Sequence, residues 1–480
     1  MEQKRSLSEI VEDYALKRIP MSDRKSWFAL LTIFVGFATA LFFFLVGGVV
    51  STVAGFFWGI VAAFIAGAAA FVYIILIAPI ALREGLSCDL CSRAFGFGRR
   101  GSVLSSAVYA FSLILFLAVE SAIIMGGLAY LLGFNPNDFV IKLLVYVPLF
   151  AIWAILTMFG FDLVNRVALV AVPLMFLFLA WAFIFVLGPT GAIGNAFSNP
   201  GLAAVPLDKG GIPQAVGFFI ALNVAFGVAP LIGVASADFA RYGRRNEDLV
   251  PTAFAGGFGA YFIVPILGAM VIFAGFPQVF AFFKSLGLPD GAAGSAAAGS
   301  PAMVFVILAG WLGMVLVFLS QVKIQTFNAY GASLAVANVF SMGANWKPGR
   351  GWDLIIACAL GLVFVLTADV LGLVQEILVY LGIFTGAWAT IIVADHYLVR
   401  RWLKLGSENI RDLDAVPAFN WPGIVTYIVS FAIPSYLYAT GALPVPFVLS
   451  IPLALVLHTV LSSVTGGRYQ REVEAAAVVT

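Results

Sequence analysis

The sequence predicts an all-α polytopic membrane protein, and three observations carry that prediction. Hydrophobic residues fill 62 % of the 480 positions, charged residues only 10 %, and the stretch 27–82 holds no Asp, Glu, Lys or Arg. A water-soluble domain of this length needs far more polar surface, so lipid is the solvent for most of the chain. Irregular backbone cannot face lipid, and the turn residues do not recur at the spacing of strands of about 10 residues. Helices are therefore expected.

Apolar runs bounded by turn or charge signals give twelve expected spans. In order they are 27–48, 54–82, 102–132, 139–162, 166–188, 213–234, 249–275, 303–340, 352–372, 374–398, 421–440 and 444–463. The eighth is too long for a perpendicular crossing, so it tilts or continues into the cytoplasm. The segment Pro277–Ser300, rich in Gly, Ala and Ser, reads as a flexible outer linker. Residues Glu84–Arg99 read as a short amphipathic segment at the membrane interface.

Basic residues set the orientation. With the N-terminus inside, all but Lys142, Lys209, Lys284 and Lys323 of the 26 Lys and Arg residues fall on the cytoplasmic side. Both termini are thus expected in the cytoplasm of a multi-pass cell (inner) membrane protein. The hydrophilic start argues against a cleavable signal peptide. The expected layout is a cytoplasmic N-terminal segment 1–26, five helices in 27–188, an outer loop 189–212 and five more in 213–398. A cytoplasmic linker 399–420, two helices in 421–463 and a tail 464–480 complete it.

Two ionisable residues lie far from any span end: Glu120 in the third span and Lys323 in the eighth. Charges at that depth cost several kcal/mol and usually face a wet cavity or a partner. A structural ion pair is the competing explanation. The eighth span adds Ser320, Gln321, Gln325, Thr326 and Asn328, a polar patch dense enough to line a cavity. Helix packing could explain one or two of these residues but not five. Gly36 in the first span, and Gly227 with Pro230 in the sixth, interrupt helices five spans apart. Breaks at matching places in two halves mark the site of inverted-repeat transporters, where unwound backbone meets the ligand.

Ordered islands of sequence surround these residues: SRAFGFGRRGS at 92–102, ASADFARYGR at 235–244 and NAYGASLAVANVF at 328–340. VADHYLVRR at 393–401 and FNWPG at 419–423 follow, with Gly47-Gly48 ahead of them all. In these the chain resembles the nucleobase:cation symporter-1 family, in particular its cytosine and purine permease branch. The resemblance implies a LeuT-like fold, with a 5+5 inverted repeat and two C-terminal helices. It puts the solute between helices 1, 3, 6 and 8. Phe116 matches an aromatic residue that stacks on the base, where a Trp is usual, and Gln325 with Asn328 matches an amide contact. On helix 6 the matching stretch is Val228-Ala229-Pro230, so an aromatic wall is missing there. Glu120, Gly227 and Thr326 complete the expected solute site. For the coupling cation the resemblance points to Gly36, Thr39 and Ser320, but Lys323 and Ile324 stand where hydroxyl residues usually sit. An ammonium in a sodium cage excludes the ion, so a proton on Lys323 or Glu120 is the expected replacement.

Other classes fit less well. Only two histidines are present, His396 and His458, and Cys88 with Cys91 forms a CxxC with no second pair to complete a metal site. No P-loop is present for ATP. An integral-membrane enzyme and a channel are therefore the least favoured readings. The expected function is secondary active import of a nucleobase or similar small heterocycle by a monomer in the bilayer, without resident cofactor or nucleic acid. The alternative is a sodium-coupled or uncoupled transporter of a vitamin-like pyrimidine or small cationic solute.

Overall fold

A computed structural model describes residues 14, 16–37, 40–158, 160–187, 192–199, 201–202 and 211–472. The described residues are helical with no strand. Ten helices are long and apolar enough to cross a membrane, and a bent pair makes an eleventh. That pair is α1 (Trp27–Phe37) and α2 (Leu41–Ala54), bent by 44° where the sequence places Gly36. The next elements are α3 (Phe56–Glu84), a short α4 (Cys88–Ser92), α5 (Ser102–Leu132) and α6 (Phe139–Met158). The fifth expected span, 166–188, overlaps α7 (Gly160–Trp181) and its continuation Ala182–Leu187, which are not among those eleven. A short α8 (Ala192–Phe197) precedes the second broken helix, α9 (Gln214–Phe226) and α10 (Ala229–Ala240).

The second half continues with α11 (Asn246–Ser285), a short α12 (Asp290–Ala298) and α13 (Pro301–Gly343). Then come α14 (Arg350–Thr367), α15 (Val370–Trp402), α16 (Trp421–Ala439) and α17 (Phe447–Val464). The long α13 spends its extra length in two ways. Its backbone turns at Gly310 (φ 54°, ψ −129°), and its last turns run on to Gly343.

Helices α5 and α13 pack along most of their length and form the spine of the bundle. Around it α2 lies against α11, and α10 against α3. Small residues permit the closest of these approaches. A Cβ added at Gly47 would sit 2.0 Å from the Pro265 carbonyl oxygen, and one at Gly268 2.5 Å from the Phe44 Cα. The outer faces present Phe57, Leu144, Leu177 and Val363 to lipid. In such a solvent, apolar exposure is the stable arrangement.

Two loop expectations are corrected. Pro277–Ser300 is not a flexible linker: α11 runs through Pro277 to Ser285, and Asp290–Ala298 is helical. Its alanines are strong helix formers, and Ala293, Ala297 and Ala298 are buried. Asp290 at the first turn meets the Lys284 ammonium at 2.7 Å. Nor does Glu84–Arg99 lie on the membrane interface. Residues 84–98 are buried in the protein, packed against α5, α10 and α15.

Candidate solute and coupling site

The two broken helices meet the spine at one place. Between α9 and α10 the helical hydrogen bonding is interrupted at Gly227-Val228, whose φ/ψ stay right-handed, so Gln214–Ala240 continues as one span. Gly227 is required for packing, because a Cβ there would fall 2.3 Å from the Leu378 carbonyl oxygen of α15. Pro230 stands in the first turn of α10, where its missing N–H costs no hydrogen bond. The Val228 carbonyl accepts both the Ile232 N–H at 3.1 Å and the Tyr261 hydroxyl at 3.0 Å.

A narrow cavity opens beside this break, bounded by α2, α5, α10 and α13. Its walls are apolar, built from Phe42, Phe43, Phe116, Ile232, Ile324 and Phe327. Phe42 and Phe116 meet edge to face, with centroids 5.0 Å apart. Its polar side chains are Glu120 and Asn328. At about 30 Å³ it has room for about two waters. Glu120 is 1 % exposed and accepts the Gln321 side-chain amide at 2.6 Å and the backbone N–H of Phe42.

Of the residues expected at the solute, Phe116, Glu120, Val228 and Asn328 line this cavity. Gly227 and Ala229 are buried beside it but outside its lining. Gln325 is turned away: its amide donates to the Leu117 carbonyl at 2.9 Å and the Ser121 hydroxyl at 2.8 Å, tying α13 to α5. Its oxygen accepts from Asn328 at 3.3 Å, so Gln325 orients the amide that does face the cavity. Thr326 bonds back to the Lys323 carbonyl at 2.8 Å. Sequence reasoning missed Phe42, Phe43, Leu113 and Phe327. The run LFFFL just past the first helix break held the signal, because chain that resumes after an unwound stretch starts at the cavity.

The expected cation residues come together on another face. Lys323 and Ser320 are three apart on α13 and both buried, so they share one side of the helix. The Lys323 ammonium reaches α1, where a Cβ at Gly36 would be 1.4 Å from Nζ. Among the described residues Nζ has no hydrogen-bond partner. Thr39, the remaining expected member, lies outside the described residues. Glu120 and Lys323 do not pair: Glu120 is bonded through Gln321, two positions and about 200° around α13 from Lys323.

At the end of the bundle where α4 lies, a second polar region closes it. Asp238 of α10 accepts the backbone N–H of Cys88 at 2.9 Å and the Tyr109 hydroxyl at 2.8 Å. Asp89 accepts the Ser106 hydroxyl, and Ser106 accepts the Asn338 amide at 2.6 Å. Arg93 donates to Asn338 Oδ1 through its Nε at 2.7 Å. Arg241 donates to the Tyr330 hydroxyl at 2.7 Å, and Phe239 stacks on Phe327 just inside. Burial and the neighbouring Asp238 push the Asp89 carboxyl up to about 7. Burial also holds the Cys88 and Cys91 thiols well above their ordinary range, with Asp238 adding to it. Thiols of that kind are packing groups.

No family model matches the chain, and no curated protein matches its sequence. Solved structures do resemble it. One is Mhp1, a nucleobase-cation-symport-1 family transporter, in a closed conformation with bromovinylhydantoin bound. It is 18 % identical, with 94 % of this chain and 98 % of that chain covered, at a TM-score of 0.62. The inward-facing conformation of Mhp1 gives 0.66 over 94 % and 92 % of the two chains, again at 18 % identity. A Na+-coupled sialic acid symporter, substrate-bound and outward-open, is 14 % identical over 95 % and 92 %, at 0.59. The fold is therefore the helical symporter fold that Mhp1 also has, in a multi-pass membrane chain.

Proposed function

We propose that this chain is a secondary active transporter that imports a small nucleobase-like heterocycle by alternating access, coupled to protons rather than sodium. The observation that carries the reading is the meeting of two broken helices at an aromatic cavity with one carboxylate and one amide. A flat solute with a polar rim needs both kinds of wall, a ring face to stack on and an edge that exchanges hydrogen bonds. Two five-helix units, 27–188 and 213–398, would rock about this point, with 421–463 as a peripheral pair. An inner-membrane location with both termini inside, and function as a monomer, complete the proposal. The first test is a thermal-shift screen of nucleobases and related heterocycles on the purified protein. A ligand at 100 times its Kd adds about 2.7 kcal/mol of stability. No shift with any heterocycle would remove the reading.

Proton coupling rests on Lys323. Its ammonium supplies a positive charge where the resemblance expects a sodium ion, and two cations at contact distance repel strongly in a low-dielectric interior.

A further inference from the structure

Among the described residues Glu120 is the one ionisable side chain that lines the cavity. Asn328, Val228 and the aromatic walls are neutral, and no described Lys or Arg lines the space. The two groups that bond the carboxylate, the Gln321 amide and the Phe42 backbone N–H, are neutral donors. The nearby cation on the same helix, Lys323, points at Gly36 instead. A carboxylate offers about four lone-pair positions. Two are used, and those left are acceptors only.

We infer that the solute presents a pair of adjacent N–H donors to Glu120, the amidine-type edge of an aminoazine, and is carried as a cation. This rests on the reading that the cavity receives a small heterocycle, and it narrows which heterocycles fit. Two parallel N–H···O bonds to a carboxylate are charge-assisted and about twice as strong as neutral ones. A ring whose N–H lies beside a carbonyl would turn an oxygen toward the carboxylate and lose a bond to repulsion. The aromatic walls favour the same choice, since Phe42 and Phe116 attract a cationic ring through their π-faces. Asn328, with both a donor and an acceptor, takes the remaining rim without constraining charge.

The test uses two probes of equal size on the purified full chain, with affinities measured calorimetrically near neutral pH. 2-Aminopyridine carries the donor pair once protonated, whereas 2-pyridone carries one donor beside one acceptor. The expected result is about tenfold or greater preference for 2-aminopyridine. Glu120→Gln, which offers one donor and one acceptor, should abolish or invert that preference. Glu120→Asp should keep its direction. Equal affinity in the unmodified protein, or a preference for 2-pyridone, overturns the inference and leaves the heterocycle reading intact. The same holds if nucleobases bind but neither probe does. If no heterocycle of any kind binds, the underlying reading falls with it.

Discussion

Two buried polar regions share α5, α10 and α13, one at the cavity and one beside α4, and they are wired in opposite ways. In the region beside α4 the polar groups close on each other. Asp238 holds a backbone N–H and a hydroxyl, while Asn338 bonds Arg93 and Ser106. At the cavity, Glu120 keeps acceptor capacity and the Lys323 ammonium lacks a partner among the described residues. Satisfied burial rigidifies a packing arrangement. Unsatisfied burial is a cost that persists only where something else meets it, and here a solute and a proton are the candidates.

The difference also separates two kinds of mutation. The largest expected effect is Asp238→Ala, which orphans the Cys88 N–H and the Tyr109 hydroxyl together. Each stranded buried donor costs roughly 1–3 kcal/mol, so thermal unfolding in detergent should show a loss of about 3 kcal/mol. A variant as stable as the parent would mean that the region beside α4 is not held by this carboxylate. Phe116→Ala should act on the other region. Solute binding should weaken by roughly 1–3 kcal/mol while the unfolding midpoint barely moves. Unchanged affinity would transfer the stack to Phe42, since Phe226 is already stacked on Phe447 at 3.8 Å.

Gln325 and Asn328 sharpen the boundary between the regions, being neighbours of opposite assignment. Asn328→Leu should lower affinity by a factor that changes with the heterocycle offered. Gln325→Leu should instead cost stability of about 1–2 kcal/mol, with the same fractional change for every solute. Interchanged outcomes would reverse the two roles. A separate effect is a pH dependence. The folded Asp89 carboxyl, near 7, lies above its ordinary value of 3.8, so the folded state holds the extra proton between the two. Stability should therefore fall as pH rises from about 4 to about 7 and then level off. Asp89→Asn should flatten that slope in thermal-shift measurements across the window, and an unchanged slope would assign it to another group.

Much of the frame was legible in the sequence, for reasons that individual residues make clear. The helix breaks fall at Gly36 and Gly227, because residues that disturb a lipid-solvated helix leave a visible mark. Glu120 and Lys323 stood out because charge is so rare at that depth. Phe42 and Phe43 did not stand out, since an aromatic facing a cavity and one facing lipid have the same composition. Gln325 was read as a solute contact because nothing local reveals that its amide is committed to α5. The family-like islands carry a related lesson. Asp238, Arg93 and Asn338 belong to them and interlock in the region beside α4, as do Arg400, bonded to the Ala94 carbonyl, and Asn420, bonded to that of Phe97. Those islands report how the bundle closes, whereas the cavity that chooses the solute is built largely from residues between them.

The central claim is that a lysine does the work of a sodium ion. Uptake of a radiolabelled heterocycle found in the binding screen, into proteoliposomes with sodium and proton gradients imposed separately, tests it most directly. The account predicts uptake that ignores sodium and is stimulated by an inward proton gradient. Lys323→Ala should remove the pH dependence, and Lys323→Thr should restore part of a sodium response. Strict sodium dependence in the unmodified protein would contradict it, leaving Lys323 as a packing residue against Gly36.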